Sequence, residues 1–380
     1  MSERKATVHE PLFHLSKRAS LPQWKSWLIR ILAVALGLVV CGIVAYLLSD
    51  RLREGKKTLA DFYYCFYKGS FSTERKMWKF LKNTAVLQCI SLAVTPAFRM
   101  RFWNIGAEGQ TLMGIWGAIA VAFYFGGTVP EWVLLIMMLA AALICGMIWA
   151  VIPALFKAKW NTNETLFTLM LNYIAIQITS YFVSLWENPK GSNVVGIINQ
   201  RTNAGWLPNL LSDGYNNDFG WNVIIVLALA VGMYIYLKYS KQGYEIAVVG
   251  ESENTARYAG IKLSRVYIRT MAISGAVCGI AGFIAVSGAG HTISTSTAGG
   301  RGFTAIIVAW LAKFNTFVMI LIAFLLVFLE KGAVQIASQF QLNDFVSEML
   351  TGIILFFILG SEFFINYKLV FRGRKEAQTK

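Results

Sequence analysis

The chain has 380 residues, of which 56% are hydrophobic and 14% charged, and its mean hydropathy is +0.53. A soluble domain carries about 25% charged residues, so this composition excludes an ordinary soluble globular protein. The net charge of +15 could suggest nucleic acid. The lysines and arginines lie in short segments between apolar stretches and form no single patch, which indicates topology signals and no nucleic-acid partner.

Apolar stretches long enough to cross a bilayer recur along the whole chain. A membrane-spanning helix needs about 20 apolar residues. We therefore predict an all-α, polytopic integral membrane protein with about ten transmembrane helices, the eighth of them short. The predicted spans are Trp27–Leu48, Met77–Phe98, Trp103–Phe125, Trp132–Phe156, Leu166–Trp186, Trp221–Tyr239, Val266–Val286, Phe303–Ala312, Phe314–Leu329 and Phe345–Phe364.

The basic residues predict the orientation of these spans. With both termini inside, 20 lysines and arginines fall in cytoplasmic segments and 10 in outer segments, as the positive-inside rule requires. We predict a cytoplasmic N-terminal arm over 1–26, a transmembrane domain over 27–366 and a cytoplasmic basic tail over 367–380.

One predicted outer segment, 49–76, departs from this rule because it holds seven basic residues. Four of its apolar residues recur at helical spacing, which predicts an amphipathic helix on the outer membrane surface. These four residues are Leu59, Phe62, Tyr63 and Phe66.

The segment Asn104–Gln110 places a carboxylate, Glu108, and two amides, Asn104 and Gln110, among glycines at the start of the third span. A carboxylate at membrane depth is costly and usually functional. One interpretation is a broken helix start whose polar groups line a substrate path or gate. The other is a plain helix start near the cytoplasmic face, with a capping Asn and an acidic residue in the first turn.

The chain also shows weak internal symmetry. The glycine-rich segment Asn104–Gln110 precedes span three, and a second one, Ser294–Gly302, precedes the short span eight. Spans two to five and seven to ten would run in opposite senses, so the pattern predicts an inverted repeat with broken helices, an architecture typical of transporters. The predicted topology places Asn104–Gln110 near the cytoplasmic face and Gly288–Arg301 outside.

Span five carries the polar residues Thr168 and Asn172 four positions apart, on one helical face. An interior Asn either bonds to a neighbouring helix or contacts a substrate, and the residues alone leave both possibilities open. His291, in the second glycine-rich segment, is interpreted as an ordinary loop histidine.

The longest predicted cytoplasmic loop contains a capped helix. Ser252 opens it and Gly260 ends it, with the acidic Glu253 in its first turn and Arg257 near its end, all within the loop 240–265. A short helix with caps at both ends suits the docking of a soluble partner. No phosphate-binding loop, catalytic motif or metal-ligand spacing of the five cysteines is present in the sequence, so we predict no catalytic and no metal site.

Four segments together resemble the permeases of bacterial ABC importers of the ribose/nucleoside class, the branched-chain and simple-sugar type. They are Asn104–Gln110, Asn163–Ala175, Gly243–Ile261 and Gly302–Leu311, within a resemblance that covers about Lys57–Tyr367. Two pieces before span two, Ala60–Tyr63 and Gly69–Phe71, are most similar to the guanosine/purine-nucleoside branch.

The resemblance implies a permease subunit for nucleosides, not an enzyme, in a bacterial cytoplasmic membrane. It implies a separate ATPase that holds the ATP and Mg²⁺, an extracytoplasmic binding lipoprotein, and a second, paralogous permease, besides membrane lipid. The residues carried over to ATPase coupling are Ser252, Glu253, Asn254, Arg257 and Tyr258, and those carried over to the path or gate are Asn104, Glu108, Gln110, Thr168 and Asn172.

Two alternatives remain open. The same machinery could carry a monosaccharide such as ribose or galactose, because both substrate classes are neutral and rich in hydroxyls. A secondary transporter fits less well, since acidic residues inside the spans are scarce and ion coupling would lack candidates.

Overall fold

The computed structural model describes residues 13–18, 21–55, 57–192, 194–208 and 220–371. Within them the chain is helical except for one pair of short strands and the connecting segments, which confirms the predicted all-α class apart from that pair. In chain order the elements are β1 (Phe13–Lys17), α1 (Gln23–Leu48), α2 (Asp50–Arg53), α3 (Leu59–Phe71), α4 (Glu74–Arg99), α5 (Ala107–Phe125), α6 (Glu131–Trp160), α7 (Glu164–Trp186), α8 (Gly220–Tyr239), α9 (Lys241–Glu251), α10 (Glu253–Tyr258), α11 (Leu263–Ala285), a π-helical turn (Val286–Gly290), α12 (Arg301–Leu311), α13 (Thr316–Phe340), α14 (Asp344–Asn366) and β2 (Tyr367–Phe371).

The chain is a multi-pass membrane protein, but the predicted count of ten spans is not confirmed. Among the described residues, seven helices are long and apolar enough to cross a bilayer: α1, α6, α7, α8, α11, α13 and α14. Helix α12 has 11 residues, about 16 Å at 1.5 Å per residue. That is roughly half of a ~30 Å hydrocarbon core.

Helices α4 and α5 account for the other two predicted spans. They have 26 and 19 residues, but charged residues fill the first turns of α4, and Glu108 and Gln110 lower the hydropathy of α5. Both of these α5 residues are buried in protein. Polar groups at membrane depth are tolerated in that situation, because protein atoms replace the missing water.

Helix α11 is the central helix of residues 69–331, which form one compact unit. Small residues let its neighbours approach closely. A Cβ built on Gly275 would lie 2.3 Å from the carbonyl oxygen of Gly146 on α6, and one built on Gly114 of α5 would lie 2.7 Å from the Cα of Gly279. Backbone contact of this kind is how membrane helices associate where lipid gives no hydrophobic gain.

The described residues within 13–68 and 332–371 form a second compact unit, in which α1 packs against α14. Arg30 Nε donates a hydrogen bond to Glu362 Oε1 at 2.8 Å, which joins the two helices.

The strands β1 and β2 pair antiparallel in the same unit. Because β1 precedes α1 and β2 follows α14, their pairing brings the start of α1 and the end of α14 together at one side of this unit. The side itself stays a prediction. Residues 1–12, 19, 20 and 372–380 of the predicted arm and tail lie outside the described part of the chain.

The segment 49–76 is not one continuous helix, although the four apolar residues of the predicted stripe all lie in α3, and its place on the outer membrane surface stays a prediction. The segment is divided between α2, α3 and the first turn of α4, whose N-cap is Thr73. Only part of the predicted apolar stripe is buried: Phe62 and Phe66 are buried, whereas Tyr63 is 41% exposed. Helical spacing identified α3, but the capping threonine ends the pattern before residue 76.

Candidate functional site

The turn between α4 and α5 is held by the side chain of Asn104. Its Oδ1 accepts hydrogen bonds from Gly106 N and Gln110 Nε2, both at 3.0 Å, and its Nδ2 donates to Gln110 Oε1 at 3.2 Å. The Nδ2 group also donates to Ser274 Oγ of α11 at 3.4 Å. The two amides therefore close the turn into α5 and attach it to α11.

Helix α7 binds the same turn through Thr168 and Asn172. Thr168 Oγ1 accepts from Ile105 N at 3.2 Å. Asn172 Oδ1 accepts from Gly109 N at 2.9 Å, and its Nδ2 donates to Ile105 O at 3.0 Å. The helix–helix contact considered for Asn172 is thus confirmed, while contact of either side chain with a substrate stays a prediction.

The carboxylate of Glu108 caps a different helix, α12. Its Oε1 accepts from Gly300 N and its Oε2 from Gly302 N, each at 2.7 Å. The unpaired N–H groups and the dipole at a helix N-terminus both favour a negative charge. A Cβ on Gly302 would lie 2.4 Å from the backbone nitrogen of Glu108, so only glycine permits this approach.

Contacts near both ends of α12 hold this helix beside the turn between α4 and α5. Its first residue, Arg301, donates through Nη2 to Asn83 Oδ1 of α4 at 2.8 Å. Near its other end, the ring of Trp310 stacks on that of Trp103, with centroids 5.6 Å apart. The short helix is thus fixed at both ends against α4 and the start of α5.

We call these groups the polar junction: the side chains of Asn104, Glu108, Gln110, Thr168 and Asn172, together with the backbone N–H groups of Gly300 and Gly302. None of the five side chains is more than 8% exposed. The structure brings together all five residues predicted for the path or gate, but it places them between helices, where they bond to protein.

The polar junction corrects the predicted depth of the two glycine-rich segments. Asn104–Gln110 was predicted near the cytoplasmic face and Gly288–Arg301 outside. Hydrogen bonds of 2.7 Å join Glu108 to Gly300 and Gly302, so the two segments meet at one depth and the two placements cannot both be correct. The inverted repeat itself stays a prediction.

The loop predicted on the cytoplasmic side contains two helices where one was predicted. Helix α10 is the predicted one, and Ser252 caps it by accepting from Thr255 N at 3.3 Å. Helix α9 was not predicted; Ser240 caps it by accepting from Gly243 N at 2.9 Å. The serine before Lys241 was the signal that could have revealed α9.

The two helices are attached to the membrane domain by polar contacts to α11. Arg269 Nη2 lies 2.9 Å from Glu245 Oε2 of α9, and Tyr267 OH donates to Glu253 Oε1 of α10 at 2.8 Å. A Cβ on Gly250 would lie 2.0 Å from the carbonyl oxygen of Arg99. We call α9 and α10 the cytoplasmic helix pair, after the side of the membrane on which the sequence predicts them. Its attachment residues were missed because their partners lie on another helix.

The predicted coupling residues divide into two groups in this helix pair. Ser252 and Glu253 are engaged in the cap and in the bond to Tyr267. Asn254, Arg257 and Tyr258 are exposed, and Tyr258 is 95% exposed. Glu253 is exposed as well, but its carboxylate is already bonded to Tyr267, whereas the second group forms no such side-chain bond within the described chain.

His291 follows the π-helical turn and lies flat against Trp206, with ring centroids 3.7 Å apart. Its backbone carbonyl accepts from Ile198 N at 2.8 Å. The residue is buried against the connection between α7 and α8, and its Nδ1 has no hydrogen-bond partner among the described residues, so its interpretation as an ordinary loop histidine stays a prediction. In the described part of the chain, no group of three or more His, Cys, Asp or Glu residues could hold a metal ion.

Comparison with known proteins identifies the family to which the chain is similar. Residues 77–359 match the family described as Branched-chain amino acid transport system / permease component. This range includes the polar junction and the cytoplasmic helix pair.

Three curated relatives match most of the chain. The glucose ABC transporter permease protein TsgB13 of Haloferax volcanii is 27% identical, over 93% of this chain and 93% of its own length. The guanosine ABC transporter permease protein NupP of Bacillus subtilis is 29% identical, over 88% and 93%. The nucleoside ABC transporter permease protein NupB of Lactococcus lactis is 25% identical, over 76% and 80%.

Proposed function

This chain belongs to the permease-component family of branched-chain amino acid transport systems, and we propose that it forms the transmembrane path of an ABC importer for nucleosides, purine nucleosides in particular. As a permease component, it functions with an ATPase and a substrate-binding protein. It is a transporter subunit and not an enzyme.

The observation that carries the proposal is the cytoplasmic helix pair. It projects Arg257 and Tyr258 outward while Glu245 and Glu253 attach it to α11. An exposed surface on a firmly attached helix pair can transmit a push from a soluble subunit. This arrangement supports α10 as the docking element of the ATPase, which supplies the ATP and Mg²⁺.

The contacts support a route from α10 to the polar junction. Helix α10 is bonded to α11 through Tyr267, and α11 is bonded to the α5 turn through Ser274. After the π-helical turn, the chain continues into α12, whose start is held by Glu108. A movement of α11 would therefore reach the junction through packed and bonded groups, the physical requirement for coupling.

In this mechanism the polar junction supports the gate. Its side chains form hydrogen bonds with each other and with the backbone N–H groups at the starts of α5 and α12. Helices α5, α7 and α12 would therefore move together. We propose that access alternates at neighbouring surfaces while the junction keeps the broken helix starts in contact.

The substrate class rests on the relatives. NupP and NupB are named for guanosine and nucleosides, whereas TsgB13 is named for glucose. Nucleosides agree with the resemblance of the segments before span two, and a monosaccharide is the second candidate. We further propose a paralogous second permease, an extracytoplasmic binding lipoprotein as the source of specificity, and cytoplasmic termini.

The test is uptake by the full chain in proteoliposomes together with the ATPase, the second permease and the binding protein of its own transport system. We expect ATP-dependent uptake of labelled guanosine, competed by other purine nucleosides and not by excess ribose, galactose or glucose. Preferred uptake of a monosaccharide would replace the substrate proposal. Uptake that is independent of the ATPase would support a secondary transporter instead.

A further inference from the structure

A cationic cavity of about 430 Å³ lies where α4, α8 and the link between α12 and α13 come together. Three basic side chains line it, one from each of these places, and no carboxylate lines it. Its lining residues are Arg99, Tyr234, Leu237, Lys238, Lys313, Phe314, Asn315 and Thr316.

The three basic residues belong to segments that the sequence predicts on the cytoplasmic side independently of each other. Arg99 ends α4, Lys238 is near the end of α8, and Lys313 lies between α12 and α13. Lysines that serve only as topology signals need not share a cavity. Neither Arg99 nor Lys313 forms an ion pair with any residue that the structure describes, so their charges are available to a ligand.

A second, independent observation is the hydroxyl of Thr316. The residue is 3% exposed, lines the cavity, and its Oγ1 has no hydrogen-bond partner among the described residues. A buried hydroxyl without a partner costs free energy. Thr316 is also the first residue of α13, a helix of 25 residues, whose first turn is capped by Asn315 Oδ1, which accepts from Phe317 N and Val318 N.

We propose that this cavity binds the phosphate group of an anionic ligand. The phosphate would lie between Arg99, Lys238 and Lys313 and accept a hydrogen bond from Thr316 Oγ1. Arginine and lysine bind phosphate in proteins through charge-assisted hydrogen bonds. A phospholipid headgroup and a soluble phosphate ester share this chemistry, and basic pockets between membrane helices are known to take lipid headgroups.

A second cavity suggests what the bound anion would affect. It shares Arg99 and Phe314 with the cationic cavity and is also lined by Ala247 and Gly250 of α9. An anion that draws Arg99 and Lys313 together would therefore hold the end of α4 beside the cytoplasmic helix pair.

The test is native mass spectrometry of the full chain, released from detergent with added phosphatidylglycerol or phosphatidylcholine. We expect preferential retention of one phosphatidylglycerol or, if the natural ligand is soluble, displacement of that lipid by millimolar inorganic phosphate. Thr316→Val should weaken retention about tenfold, because it removes one hydrogen bond to a charged group. Lys313→Gln should weaken lipid retention only about threefold, because an exposed charge contributes little to binding.

The matched control is Lys262→Gln, which removes an exposed charge from the same cytoplasmic loop region but does not line the cavity. Equal retention in Thr316→Val and the unmodified chain would overturn the proposal, as would equal losses in Lys262→Gln and Lys313→Gln. Thermal unfolding without lipid separates binding from folding, because removal of an unpaired hydroxyl should not lower the melting temperature of the apo chain.

Discussion

The polar junction and the cytoplasmic helix pair are both rich in polar side chains, yet they use them in opposite ways. In the junction, every predicted residue is buried and hydrogen-bonded to other protein groups. In the helix pair, Ser252 and Glu253 are bonded internally, while Arg257 and Tyr258 face outward.

The difference shows how a polar residue in a membrane protein acquires its role. A buried polar group must find a partner, because an unpaired one costs about 1–3 kcal/mol, and in the junction that partner is the protein. An exposed polar group has water as an alternative and is free to bind another chain. Substitutions in the junction should therefore change stability, whereas substitutions at Arg257 or Tyr258 should change function alone.

The largest expected effect is that of Gly302→Ala in the polar junction. The added Cβ would lie within 2.4–2.9 Å of the backbone and Cβ of Glu108, which cannot move away without breaking both hydrogen bonds to α12. We expect a loss of about 3 kcal/mol or more in the free energy of unfolding, measured as thermal unfolding in detergent.

The control for this variant is Gly232→Ala on α8. No atom lies within 4 Å of the added Cβ there, and alanine favours a helix by up to about 1 kcal/mol over glycine. If both variants had the same melting temperature, the close approach of α12 to Glu108 would be wrong.

The next effect is that of Glu108→Gln. One amide oxygen can still accept from Gly300 or Gly302, but the NH₂ group then faces the other N–H. We expect a loss of about 2 kcal/mol, the value of a hydrogen bond to a charged group, with reduced uptake and normal membrane insertion. Full uptake and unchanged stability together would show that the carboxylate serves only as a charge at a helix end.

Substitutions on the solvent-exposed face of α10 should change function without changing stability. Replacing both Arg257 and Tyr258 by alanine should leave the free energy of unfolding within about 0.5 kcal/mol, as for exposed sites in general. Uptake should fall at least tenfold while the ATPase remains active, because the two side chains have no partner within the described chain to lose. Tyr244→Ala tests an exposed tyrosine of α9 in the same assay, and normal uptake in the double variant would refute the assignment of α10 to coupling.

The smallest effect should come from Tyr267→Phe. It removes only the hydrogen bond of 2.8 Å to Glu253, worth about 1 kcal/mol, and leaves the ring in place. We expect a few-fold drop in the uptake driven by each ATP hydrolysed, with the ATPase rate unchanged. An unaltered ratio of uptake to hydrolysis would mean that α10 is coupled to α11 through other contacts.

Much of the organisation could be predicted from local patterns. Helical spacing and caps identified α10, because Ser252 and Gly260 lie within one short segment. Composition identified α12 as a short helix. By contrast, α9 was missed because its glycines and charges obscure its pattern. The predicted span count exceeds the seven helices that are long and apolar enough to cross a bilayer because α12 is short and α4 and α5 begin with polar turns.

The sequence by itself determined the class of the protein, its family and the residues that form the polar junction. These follow from composition, periodicity and contiguous motifs. Only the tertiary structure decided what those residues bond to. Glu108 and Gly302 are 194 positions apart, and residue spacing within one segment cannot predict a contact over that separation. Burial then requires each polar group to find a partner, and the packing of α5, α7 and α12 supplies it.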